Sequence, residues 1–339
     1  MHFHRTAEPQ QTSPKGEAGP SGRLPMEYIL PLKWKAAFQD AEVTEYLEDL
    51  SQWLDITVVD GSSEMVFRSH HQVWKQWVRH VAPAGPVQPN GKVHGVLTGL
   101  DLARHELVII ADDDVRYSVQ ALRQVHCLLQ NTDLVRVQNY FDPMPWHAKW
   151  DSARSLINRA FASDYPGTLA VRRSALPCGY RGDVLFENLE LIRTVLAGGG
   201  SQCRADEVLV LRRPPSTAHF RGQRVRQAYD SQAQPLRLAL ELSILPLVIT
   251  LRRNPRALGL LLGISILVAE WGRRRVRHAF PPSAIFFAPL WLGERAMTSW
   301  IALVRRIAGG VPYSGGKLRE AASSLARLRK AADASHQGG

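Results

Sequence analysis

The chain has 339 residues, 45% of them hydrophobic and 22% charged, which suits a globular protein large enough for one big domain or two ordinary ones. Three scattered cysteines, Cys127, Cys178 and Cys203, argue against a disulfide framework or a zinc finger. The net charge of +11 is carried by the C-terminal part: 15 Lys/Arg stand against 4 Asp/Glu from residue 251 onward, while the first 250 residues balance at 27 of each sign. That asymmetry argues against a protein that coats nucleic acid, and for a neutral catalytic body followed by an element facing a polyanion.

Residues 1–25, rich in Pro, Gly, Ser and Gln, read as a disordered tail, and no apolar run behind a basic start suggests a secretory leader. The first strand is predicted at 28–32. Residues 40–53 carry Val43, Tyr46, Leu47 and Leu50 at helical spacing. A second strand at 56–59 ends in Asp60-Gly61-Ser62-Ser63. A helix over 92–104 leads into an apolar strand at 107–111 that ends in Asp112-Asp113-Asp114. A helix over 118–130, a strand near 134–137 and a helix around 148–162 follow. Trp146, Trp150 and Phe161 in this last stretch read as ordinary core, and His147 and His219 have no metal-ligand spacing. Strands alternating with helices imply an α/β sheet with helices on its faces. In such sheets ligands gather at the carboxyl ends of the strands, where both acidic turns fall. Two carboxylates in an Asp-x-Asp turn suit Mg²⁺ or Mn²⁺, hard cations that bridge carboxylates to a diphosphate and assist its departure.

Several segments in order resemble family 2 glycosyltransferases, inverting enzymes of the GT-A, Rossmann-like fold. Val58-Val59-Asp60-Gly61-Ser62-Ser63 is similar to that family's nucleotide-binding strand and turn. Gly91-Lys92, Gly99-Leu100 and Ala103, followed by residues 108–115 (VIIADDDV), resemble its Gly-Lys helix and Asp-x-Asp-Val strand. Residues 166–176 (PGTLAVRRSAL) resemble its Gly-to-Arg-Arg segment. Residues 186–191 (FENLEL) resemble its Thr-Glu-Asp-x-Asp-Leu signature, and residues 220–227 (FRGQRVRQ) its Gln-x-x-Arg-Trp box. The resemblance covers roughly residues 27–230.

The resemblance implies a nucleotide-diphosphate-sugar donor and a Mn²⁺ or Mg²⁺ cofactor. Asp60 is expected at the nucleotide base, Lys92 at the nucleotide or its phosphates, and Asp112 at the ribose or the metal. Asp113 falls within the same donor site, Asp114 would be the main metal ligand, and Gln223 with Arg226 would cover the diphosphate. The family's catalytic base is usually an Asp where this chain has Asn188, and an amide is no proton acceptor at neutral pH. Glu187 or Glu190 is therefore expected to supply the carboxylate, Glu187 first. The family's Trp after Arg226 is Gln227 here, and Leu97 stands where Asn is frequent.

By this reading residues 26–232 form the glycosyltransferase domain. Residues 233–310 hold three apolar stretches, 236–251, 257–269 and 284–303, set among arginines. A bilayer-spanning helix needs about 20 apolar residues, and arginines flank 257–269 on both sides. Helices lying on an anionic membrane fit better, on the cytoplasmic face of the cell membrane. Residues 311–339 read as a basic tail with a short amphipathic helix over 317–330. The expected acceptor is a lipid or membrane-proximal glycan. The alternative is a catalytically silent GT-A module that binds nucleotide sugar or a partner protein, for which Asn188 speaks.

Overall fold

The computed structural model describes residues 22–38, 41–162, 164–313 and 316–337. The tail expected over 1–25 falls mostly outside these residues, but its last four belong to the fold. Leu24 is buried and its N–H donates to the Trp53 carbonyl at 2.7 Å, while Arg23 pairs with Asp55 at 2.7 Å.

In chain order the elements begin with β1 (Met26–Leu32), α1 (Ala41–Ser51), β2 (Asp55–Asp60), α2 (Glu64–Trp74), β3 (Arg79–Val81), α3 (Gly91–Leu102) and β4 (Leu107–Ala111). Next come β5 (Val115–Arg116), α4 (Val119–Leu129), β6 (Leu134–Phe141), α5 (Trp146–Phe161), β7 (Thr168–Arg172), α6 (Glu187–Ala197), β8 (Gln202–Arg212) and α7 (Thr217–Asp230). Three long helices follow, α8 (Pro235–Leu251), α9 (Pro255–Arg273) and α10 (Ala288–Ile307), then β9 (Val311–Tyr313), β10 (Gly316–Leu318) and α11 (Leu325–Gln337).

The main sheet runs β3-β2-β1-β4-β7-β6-β8-β5. Its first four strands are parallel, β7 is antiparallel to both β4 and β6, β6 and β8 are parallel, and β5 returns antiparallel on β8. This is the Rossmann-like α/β architecture expected from the alternation of strands and helices. All five residues of β4 (LVIIA) are buried, as a parallel strand covered on both faces requires. Tyr28, Leu30 and Leu32 of β1 join one core, with α1, α2 and α4, and Ile29 joins the other, with α3 and α6. Helix α3 lies unusually close to β1: a Cβ on Gly99 would come within 2.4 Å of Ile29 and one on Gly95 within 2.9 Å of Pro31. That approach fixes α3 so that its N-terminus meets the carboxyl end of the sheet.

The three C-terminal apolar stretches form α8, α9 and α10. Helices α9 and α10 share a core with the sheet domain, since Leu156 of α5 packs with Ala269 of α9, Phe280 and Ala288, and α8 is tied to α10 through Glu241, which meets Ser299 and Arg295. The helix expected over 317–330 starts later. Residues 316–318 are instead a strand paired with β9, and residues 320–321 accept hydrogen bonds from the N–H groups of Leu185 and Phe186. Local amphipathicity lost to this long-range pairing, so part of the supposed tail becomes a wall beside α6.

Candidate active site

Asp112 follows β4 directly, and two helix N-termini converge on it: Lys92 in the first turn of α3 and Glu187, the first residue of α6. Asn90 caps α3 by accepting from the Lys92 N–H, and is itself tied to Gly182 and Val184. Lys92 Nζ bridges Asp112 Oδ1 at 2.5 Å and Glu187 Oε1 at 2.7 Å. Arg212, the last residue of β8, lies on the other side of the turn. Its Nε donates to Asp114 Oδ2 at 2.8 Å and its Nη2 to Asp112 Oδ2 at 3.4 Å. Gly167 lies beneath this group, where a Cβ would come within 2.7 Å of Asp112 Oδ2. Asn188 Nδ2 donates to the Pro166 carbonyl at 3.0 Å and steadies that loop.

Lys92, Asp112, Glu187, Asn188 and Arg212 line a cavity of about 270 Å³. Its opposite wall comes from α7 and the start of α8. Gln223, Arg226, Gln227 and Asp230 recur at i, i+3, i+4 and i+7, one face of α7, and Ser231 and Gln234 extend the stripe. Arg226 stacks over the Tyr313 ring at 4.9 Å, whereas Arg224 points away into ion pairs with Asp151 and Glu294. The basic run 221–226 thus divides between cavity and interior. Five side-chain atoms of this region are buried without a hydrogen-bond partner among the described residues: Asp114 Oδ1, Glu187 Oε2, Gln227 Oε1, Ser231 Oγ and Gln234 Nε2. Such unspent capacity in a protein interior marks a place prepared for a polar ligand or water.

The electrostatics follow from crowding. Burial would raise the Asp112 carboxyl, but Lys92 and Arg212 pull it below the usual range. Burial pushes Asp114 up to about 6, with help from Asp112 and Asp113 and against the pull of Arg212. Burial also raises Glu187, opposed by Lys92. Across the cavity, burial carries Asp230 to about 7 although Arg226 is the strongest of several arginines drawing it down. Asp114 presents a buried, partnerless oxygen beside Asp112, and this all-oxygen donor pair fits a hard divalent ion.

The remaining sequence-predicted residues lie elsewhere. Asp113 is turned away and accepts from Trp34 Nε1 at 2.6 Å. Glu190 is fully buried on α6, with Oε2 accepting from the Ser323 N–H at 2.5 Å, so it braces the C-terminal wall and does not reach the cavity. Asp60 ends β2 as expected, but its side chain is 0% exposed. Its Oδ1 accepts from the Ser62 N–H at 2.9 Å, and Oδ2 meets His70 Nδ1 at 2.7 Å and His80 Nε2 at 3.2 Å. The carboxylate thus faces the interior and presents no surface to a nucleotide base. Asp60, His70 and His80 form a group of metal-ligand type. However, His70 Nε2 accepts from the Phe38 N–H, so its Nδ1 carries the proton donated to Asp60, and the cluster is satisfied by its own hydrogen bonds.

Arg212, Asp230 and Tyr313 are functional candidates that sequence reasoning did not reach. The strand-end rule that singled out Asp112 applies equally to Arg212, once β8 is recognised as a strand.

No protein-family description and no curated protein matches the chain. Among solved structures it resembles a mannosyltransferase from Pyrobaculum calidifontis in complex with GDP-Man and Mn²⁺, at 16% identity and a TM-score of 0.48, over 84% of this chain and 90% of that one. Mannosyl-3-phosphoglycerate synthase from Rubrobacter xylanophilus is 14% identical with a TM-score of 0.40, over 58% of this chain and 69% of that one. Glucosyl-3-phosphoglycerate synthase from Mycobacterium tuberculosis, in complex with Mn²⁺, UDP and glucosyl-3-phosphoglycerate, is 15% identical with a TM-score of 0.41, over 62% of this chain and 81% of that one. All three overlays are loose.

Proposed function

We propose that the protein is a metal-dependent, inverting glycosyltransferase of the GT-A type, similar to family 2, that moves a sugar from a nucleotide-diphosphate donor to a hydroxyl of a lipid-linked or membrane-proximal glycan. The observation that carries this reading is the strand-end turn itself: Asp112 and Asp114 stand beside a polar cavity whose far wall presents Gln223 and Arg226. Asp112 and Asp114 would hold Mn²⁺ or Mg²⁺, which supplies charge neutralisation at the departing diphosphate. Arg226 and Gln223 reach that diphosphate from α7, and a guanidinium suits the task because its fork meets two phosphate oxygens together. Glu187 takes the proton from the acceptor hydroxyl. Its Oε1 is fixed by Lys92 and its Oε2 is free, so the base is oriented before the acceptor arrives. The hydroxyl oxygen then bonds to the anomeric carbon as the bond to the diphosphate breaks. Gln227, Ser231 and Gln234 hold unspent hydrogen-bonding groups on the acceptor side.

The acceptor's membrane setting rests on α8–α10. Leu236 and Leu240 on α8, Leu260, Leu267 and Trp271 on α9, and Val304 and Ile307 on α10 are exposed, Leu236 and Ile307 by more than three quarters. Exposed arginines stand beside them: Arg252, Arg253, Arg256, Arg274, Arg275 and Arg305. Apolar side chains that dip among lipids while guanidinium groups reach head groups make an interfacial seat on the anionic, cytoplasmic leaflet. Among the described residues α9 is a helix long and apolar enough to cross a membrane. The arginines at both of its ends favour the interface. Gln234 and Arg237 line the cavity while Leu236 beside them faces outward, so the cavity rim lies within a turn of the lipid-facing surface. Vesicles containing phosphatidylserine should co-sediment the protein, and the double variant Leu260→Glu, Leu267→Glu should release most of it; equal binding of both proteins would remove the seat from α9.

The donor site is tested by melting curves with UDP-, GDP- and dTDP-sugars, with and without Mn²⁺. One nucleotide should raise the melting temperature by several degrees, and only with the metal, since a ligand of the native state stabilises it. Absence of any metal-linked shift sinks the donor site. Binding without transfer to any acceptor in single-turnover assays favours the silent module, with Asn188 as its cause.

A further inference from the structure

We propose that Arg212 is a tethered counter-cation that occupies Asp112 and Asp114 until a nucleotide diphosphate arrives, so that metal and donor bind as a coupled pair. The inference rests on the donor site described above and adds to it a residue that none of the resembling motifs contains. Arg212 closes β8, and its pairing with Val115 across β5 sets its backbone beside the acidic turn. From there the guanidinium spans the turn: Nε is 2.8 Å from Asp114 Oδ2 and Nη2 is 3.4 Å from Asp112 Oδ2. Gly167 makes room for this arrangement, because a Cβ there would come within 3.1 Å of the Arg212 Cζ as well as within 2.7 Å of the carboxylate.

Arg212 holds one oxygen of each carboxylate that a divalent ion would share. Asp113 does not relieve the competition, since its carboxylate is engaged by Trp34. Lys92 already claims Asp112 Oδ1, so a bare dication would approach two fixed cations for a share of two carboxylates. Like-charge repulsion at this range is strong in a partly buried site. A nucleotide diphosphate changes the balance. It offers phosphate oxygens to the metal and a planar, bidentate partner to the guanidinium, and Arg212 already lines the cavity where the diphosphate would lie. Arg212 then moves from carboxylates to phosphate, and its charge contributes to holding the donor. By linkage, whatever the diphosphate does for the metal, the metal does for the diphosphate.

The test is a Mn²⁺ titration of the full chain, followed by the electron paramagnetic resonance signal of free Mn²⁺, alone and with UDP or GDP. Arg212→Ala should bind Mn²⁺ about tenfold more tightly than the wild type when no nucleotide is present, within the usual range of coupling between sites. The nucleotide should strengthen Mn²⁺ binding markedly in the wild type and several-fold less in the variant. Arg212→Gln, which keeps hydrogen-bonding groups without the charge, should follow Arg212→Ala, and Arg212→Lys should stay close to the wild type. Unchanged or weakened Mn²⁺ affinity in both uncharged variants, with nucleotide binding intact, overturns the inference alone. Absence of nucleotide binding in every protein overturns the donor site and the coupled binding with it.

Discussion

Two acidic turns end two strands that both pair with β1, and they have opposite fates. At the end of β2, Asp60 is sealed: two histidines and a backbone N–H take its oxygens, Trp74 stacks on His70, and nothing of the side chain reaches solvent. At the end of β4, Asp112 and Asp114 keep about a quarter of their side chains exposed, are held by the Lys92 and Arg212 cations, and leave one oxygen unpartnered. Trp34 ties the two together, donating its ring N–H to Asp113 and its backbone N–H to Ser62. The difference does not lie in the turns, which carry similar residues at similar places. It lies in what the rest of the chain brings to them. Two imidazoles and a backbone N–H complete one carboxylate and make it structural. Ammonium and guanidinium groups at a cavity edge balance the other while leaving it exchangeable.

Substitution at each turn should therefore fail in a different currency. Asp114→Asn should lower transfer by at least about 100-fold, the scale of losing one metal-supported charge contact in a transition state, with a small change in melting temperature. A variant that keeps near-normal transfer, measured at saturating donor and Mn²⁺, would place the reacting diphosphate elsewhere. Asp60→Asn should show the reverse. Breaking a buried, fully hydrogen-bonded carboxylate cluster costs about 3 kcal/mol, or about 5–10 °C in melting temperature. Donor affinity of the folded fraction should hold within about twofold, since the coupling between separated sites is weak. A loss of donor affinity that outruns the loss of stability would return Asp60 to the nucleotide site.

The sequence carried the frame of this contrast but not its outcome. Strand ends at Asp60 and Asp112 and the α3 start at Lys92 follow from local periodicity and turn chemistry, and the structure has them; the helix α7 that sets Gln223 and Arg226 on one face has no such local signal. What closes Asp60 comes from residues 70 and 80, on α2 and β3, where histidines and a short strand give only a weak periodic signal. Arg212 lies about 100 residues from the carboxylates it holds, in an Arg-Arg pair that reads locally as surface charge. Glu187, Asn188 and Glu190 stand together in one sequence motif. Both acids lie in the first turn of α6, but Glu187 lines the cavity while the Ser323 N–H of the C-terminal return takes the Glu190 carboxylate. The C-terminal return that supplies Tyr313 and receives Glu190 rests on strand pairing between segments with no apolar signature. Such pairings are decided by the whole fold.

The smallest effect separates the turns by sign. The Asp114 carboxyl is raised to about 6 in the folded protein, by burial first and then by its acidic neighbours. An unfolded Asp titrates near about 3.9. The native state therefore holds this proton more tightly, and its contribution is fully present below about pH 4 and lost as the pH rises toward 6. Asp60 is held well below the usual range, where the histidine and Ser62 hydrogen bonds outweigh the cost of burial. Its contribution is present above about pH 4 and lost only under stronger acid. Metal-free melting curves from pH 3 to 7 should thus show Asp114→Asn flattening the decline between pH 4 and 6.5. Asp230 and Glu187 are raised as well, so part of that decline should remain. Asp60→Asn should leave the slope in this window unchanged and alter the curve only below it. If both variants bend the same part of the profile, the two carboxylates share one electrostatic environment, and the division between a structural and an exchangeable turn fails.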